Sequence, residues 1–108
     1  MGSMTHLIVA KFKEGVVMED IKKGVEKMAS QIDCIKSFEW GEDFGSNETL
    51  RKGFTHALLV TFESSEGFHA YLSHPAHVEF GAIFRAAVDK YLVLDFPTDL
   101  VKSPTPKK

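Results

Sequence analysis

FTHALLVTF, residues 54–62, is the stretch whose reading decides the fold. Nine consecutive β-branched, aromatic and aliphatic residues, broken only by one histidine, read as a strand. Side chains alternate along a strand, so Leu58, Val60 and Phe62 share one face while Ala57 and Leu59 share the other. A strand with one face in water should alternate apolar with polar residues, and this one is apolar on both sides. The same holds for the stretches expected as first and last strands. His6 to Phe12 sets Ile8 and Ala10 against Leu7 and Val9; Lys90 to Phe96, stopped by Pro97, sets Leu92, Leu94 and Phe96 against Tyr91 and Val93. Ile35 to Trp40 supplies another strand, followed by a polar loop from Gly41 to Gly53.

Between the strands the apolar spacing changes to a helical period. Val17, Ile21, Val25, Met28 and Ile32 form one helix face, and Glu19, Lys22, Lys23, Glu26 and Lys27 the solvated opposite face. Gly24 inside this helix suits close packing. Ser64 is placed to cap a second helix reaching Leu72. Pro75 opens a third, because a first-turn residue needs no N–H donor. That helix is expected to turn Val78, Ala82, Ile83, Ala86 and Ala87 inward. The order β-α-β-β-α-α-β predicts an α+β, ferredoxin-like subunit, a four-stranded sheet with its helices on one face. Helices on one side leave the second apolar sheet face bare, a liability of aggregation. An identical chain packed sheet to sheet covers it, so the expected unit is a homodimer closing an α+β barrel.

The 108 residues suit one domain, expected over residues 4–97. Met1, Gly2 and Ser3 ahead of Met4 read as an expression scar, and residues 98–108 as a flexible tail carrying Lys102, Lys107 and Lys108. Net charge is −2 and the pI about 6.2, which argues against nucleic-acid binding, since that needs a basic face. The lone Cys34 excludes an internal disulfide and reads as a small core residue. No run approaches the ~20 apolar residues of a membrane span. No secretory leader and no terminal peroxisomal tripeptide is visible, so the expected compartment is cytoplasmic.

Five histidines stand out in a chain this short. His6 shares a strand face with Ile8 and Ala10, and His56 with Leu58 and Val60. His74 and His77 bracket Pro75-Ala76, Tyr71 ends the second helix, and Asp95 is near the end of the last strand. A histidine on an apolar strand face is commonly a hydrogen-bonded core residue. His69 belongs on the helix surface, and His74 can serve as a helix cap. His77, in a first helical turn, feels the positive end of the dipole, which disfavours imidazolium and leaves a neutral base near pH 7. The His-x-x-His spacing also admits a metal, with Asp95 as a further ligand, but no third ligand stands at diagnostic spacing.

Several motifs together are similar to a known family. His74-Pro75-Ala76-His77-Val78 followed by Phe80, His6-Leu7-Ile8-Val9 followed by Lys11-Phe12-Lys13, Trp40-Gly41, Gly53-Phe54-Thr55-His56, Thr61-Phe62-Glu63-Ser64 and Leu94-Asp95-Phe96 resemble the plant stress-responsive A/B barrel proteins, from Met4 to Pro97. The resemblance implies a ferredoxin-like subunit, a homodimeric barrel and high thermal robustness. The family's members include heat-stable stress and defence proteins and a polyketide cyclase that works without cofactor or metal. Carried over by motif, His77 becomes a general base and Tyr71 its supporting hydroxyl. His6, His56, His74, Phe80, Val93 and Asp95 become candidate ligand-binding positions, facing a small hydrophobic or polyketide-like ligand. The first helix here carries no aromatic residue, and Val25 falls near a tyrosine of that cyclase, so the pockets should differ in shape.

Overall fold

The computed structural model describes residues 2–103. The elements follow as β1 (Met4–Phe12), α1 (Met18–Gln31), β2 (Ile35–Glu42), α2 (Glu48–Arg51), β3 (His56–Phe62), α3 (Ser65–Ser73), α4 (Pro75–Ala87) and β4 (Val88–Pro97). The strands form one sheet in the order β2-β3-β1-β4 with every neighbouring pair antiparallel, the ferredoxin-like arrangement expected. The expectations for Met1 and for residues 104–108 fall outside the described residues.

One face of the sheet meets the helices. Ala10, Leu58, Val60 and Phe62 are buried there against Ile21, Val25 and Met28 of α1, Phe68 and Tyr71 of α3, and Phe80 and Phe84 of α4. Gly24 lets α1 and α4 approach, since a Cβ at that position would stand 3.2 Å from the Phe80 ring. The Ser64 hydroxyl accepts from the Gly67 N–H at 3.1 Å and starts α3. Pro75 occupies the first turn of α4.

Four details differ from the expectations. The Gly41–Gly53 loop contains one helical turn, α2, because the Asn47 side chain accepts from the Thr49 N–H at 2.8 Å. Lys52 and Gly53 then take left-handed conformations, with φ of 55° and 84°, so β3 starts at His56 rather than Phe54. Val17 caps α1 from outside and is 59% exposed instead of joining its buried face. In α4 the inward residues are Ala76, Phe80, Phe84 and Ala87.

 Of the five side chains expected inward, only Ala87 is buried; Val78, Ala82, Ile83 and Ala86 face solvent. The helix is apolar nearly all round, and the two phenylalanines, which bury the most area, take the core side.

Among the described residues, α1, α3 and α4 all pack on one face of the sheet and leave the opposite face uncovered. Leu7 pairs with Leu59 and Leu94, and Val9 with Ala57 and Leu92, so these apolar side chains form one continuous surface. Leu92, Leu94 and Phe96 on it are 41%, 55% and 40% exposed. Among the described residues, no helix is long and apolar enough to cross a membrane.

Candidate functional site

β1 and β4 are neighbours, and their register places His6 directly opposite Asp95 on the helix side of the sheet. His6 is buried, and its Nδ1 hydrogen bonds to the Asp95 carboxylate. The His6 ring meets Tyr71 edge-on at 5.6 Å and Phe68 at 5.8 Å. Tyr71 comes from the last turns of α3. The chain then turns at His74 into α4, which brings the His77 ring to 4.3 Å from that of Tyr71.

His77 Nδ1 lies 3.2 Å from the Leu72 carbonyl oxygen. Only a protonated nitrogen donates to a carbonyl, so the neutral imidazole keeps its lone pair on Nε2. Burial pushes the His77 pKa down, and the charges of His6, Arg85 and His74 add to that effect against the opposing Leu72 hydrogen bond. The direction favours the neutral imidazole, and its main cause is burial rather than the helix dipole. Burial also raises the Tyr71 pKa far above its ordinary value, helped by the negative charge of Asp95 and by Cys34. Its hydroxyl stays protonated, a hydrogen-bond donor throughout the neutral range.

These residues open onto a cavity of about 250 Å³ between the sheet and α4. Its walls include Ile8, Met28, Phe38, Leu58, Phe80, Phe84, Tyr91 and Val93, and its polar groups are His6, Tyr71, His77, Arg85 and Asp95. Six of the eight expected site residues thus meet in one place: His77, Tyr71, His6, Phe80, Val93 and Asp95. His74 does not line the cavity; its Nδ1 accepts the Ala76 N–H at 3.0 Å and caps α4. His56 lies elsewhere, between Phe12 and Trp40, with the Thr55 hydroxyl 2.8 Å from its Nδ1. Burial lowers its pKa, opposed by Glu42. It lines a larger and more open groove of about 660 Å³ beside α2, together with Glu42, Asp43, Arg51 and Lys52. His69 is exposed and bonds only its own helix, at Ser65.

Arg85 was absent from the residues singled out in the sequence. In a helix that reads as apolar, one cation in the last turn suggests a partner for the helix dipole, and only the fold shows that it borders the cavity. Among the described residues, no three His, Cys, Asp or Glu side chains converge in a way that holds a metal ion.

Comparison with known proteins adds to this geometry. The family described as "Stress responsive A/B Barrel Domain" matches residues 4–98. A stress-response A/B barrel domain-containing protein of Arabidopsis thaliana is 56% identical over 98 residues, covering 91% of this chain and 88% of that protein. Olivetolic acid cyclase of Cannabis sativa is 36% identical over 97 residues, covering 87% and 95%. The crystal structure of a further Arabidopsis thaliana protein superposes with a TM-score of 0.79 at 40% identity, covering 97% and 98% of the two chains.

Proposed function

From a chain that belongs to the stress-responsive A/B barrel family, we propose a homodimer that binds a small apolar ligand in the His77–Tyr71 cavity and serves plant stress or defence. The observation that carries the ligand reading is the cavity itself. Apolar walls surround a few converging polar groups, which is the usual constitution of a small-molecule site. The bare apolar face of Leu7, Leu59, Leu92 and Leu94 supports the dimer, because a second copy removes that face from water. The stress role rests on the similarity to the Arabidopsis protein.

The test is an NMR titration of the histidine rings with aromatic polyketide-like compounds. The expected result is a ligand that shifts the His77 and His6 signals while His69 stays still. Ring signals that ignore every such compound would remove the ligand reading and leave a structural or antimicrobial role.

A second reading, catalysis, is favoured by the fixed tautomer of His77 beside a protonated Tyr71. In an aldol closure, Nε2 of His77 takes a proton from an acidic carbon between two carbonyls. The resulting enolate forms a C–C bond to a second carbonyl carbon. Tyr71 donates a hydrogen bond to the oxyanion that develops, and the proton on His77 returns to that oxygen. The balance of this step requires no cofactor, and the similarity to olivetolic acid cyclase supports it.

A further inference from the structure

The cavity has a cation that the acid–base reading does not use. Arg85 stands two helical turns beyond His77 in α4, is exposed, and lines the same cavity, so its guanidinium belongs to the opening rather than the floor. Room for it comes from Gly81, one turn earlier: a Cβ there would lie 3.1 Å from a guanidinium nitrogen of Arg85. The side chain therefore folds back along α4 over a position that has no side chain of its own. Among the described residues no ion pair includes Arg85. The single carboxylate lining the cavity, Asp95, is already hydrogen bonded by His6. A planar fork of N–H donors without a carboxylate partner, at the edge of an apolar chamber, fits one kind of group best.

We infer that the cavity selects small apolar carboxylates, with the hydrocarbon portion inside and the carboxylate held at the mouth by Arg85. This deepens the ligand reading above and rests on it. Arg85 sets which ligands enter, whereas His77 and Tyr71 face whatever part of the ligand lies deeper. A merely structural Arg85, serving the C-terminal end of the helix dipole, affects stability and leaves ligand choice unchanged.

The experiment compares 2-naphthoate with its neutral isostere 2-naphthamide, followed through the His77 ring signal so that only binding in the cavity counts. The wild-type protein should prefer the carboxylate by about tenfold, the scale of one charge-assisted hydrogen-bonded contact. Arg85→Gln should bring the two affinities within about twofold by weakening the carboxylate alone, and Arg85→Lys should restore part of the preference. Equal affinities in the wild type, or a preference that survives Arg85→Gln, overturns the role of Arg85 while the pocket stands. If neither compound moves the His77 signal, the inference falls together with the ligand reading.

Discussion

The rings of Tyr71 and His77 lie with centroids 4.3 Å apart and planes tilted by 47°, at the junction where α3 hands over to α4. This contact joins a base whose proton affinity is lowered by burial to a phenol whose acidity is suppressed by burial. If the pair works on a poly-β-keto substrate, His77→Ala should lower turnover by about 100-fold or more, the usual contribution of a general base. Tyr71→Phe should lower kcat with the cavity intact. The acid limb of the rate profile should lie at lower pH than for an ordinary histidine, because burial lowers the pKa of His77. Turnover unaffected by His77→Ala would end the catalytic reading.

Stability should also depend on pH, through His56 and His77. Both have folded-state pKa values below the ordinary 6.5. The unfolded chain therefore binds more protons in that window, and stability rises with pH. Their contribution is complete above about pH 6.5 and is lost as the pH falls through the folded pKa values. Melting temperature measured from pH 7.5 to 5 should drop, and His56→Gln should flatten the slope. A slope identical in the variant would show that His56 does not carry it.

His74 and His77 should behave oppositely despite their closeness in sequence. Loss of the His74 cap on Ala76 should cost about 1 kcal/mol of stability, as other N-cap losses do, and leave ligand affinity unchanged. His77→Ala should change the cavity's ligand response with less effect on stability. Urea unfolding and the naphthoate titration, followed in both variants through the His6 ring that also lines the cavity, separate the two roles.

Leu59→Arg tests the bare sheet face. A charge buried without a partner in a sheet-to-sheet interface costs about 3–5 kcal/mol. Sedimentation should therefore find a single chain or an aggregate. A soluble, unchanged dimer would place the interface elsewhere.

Gly24→Val probes how closely α1 and α4 approach. The new side chain meets the Phe80 ring, and overpacking of this kind costs about 1–3 kcal/mol. Phe80 also lines the cavity, so ligand affinity should change along with stability. Wild-type stability would mean that the ring yields freely.

The sheet and the order of helices were legible because strand and helix periods differ sharply in this chain. Residues 54–62 and the Ile21–Val25–Met28 spacing admit few alternatives. The inward side of α4 was not legible, since a helix apolar nearly all round offers no polar stripe to oppose. For the site, strand parity grouped His6 with Ile8 and Ala10 and His56 with Leu58 and Val60, and in the fold those faces meet the helices. Parity says nothing about position along the strand, so it did not separate His56, near Phe12, from the cavity at His6. The pairing of His6 with Asp95 depends on the β1–β4 register, across 89 residues of sequence. Arg85 became visible only when Gly81 and the cavity wall were placed together.

One strand has a consequence for how such a protein can diversify. In β4, Tyr91, Val93 and Asp95 line the cavity, while Leu92, Leu94 and Phe96 lie on the bare outer face. The proposed ligand choice and self-association are thus written in alternate letters of one short word. Point changes at the odd-numbered positions can retune the chamber and leave the outer surface as it is. A one-residue insertion or deletion upstream in β4 exchanges the two sets and spoils both properties together. On the proposed ligand role, new specificities are open to substitution and closed to changes of length within β4.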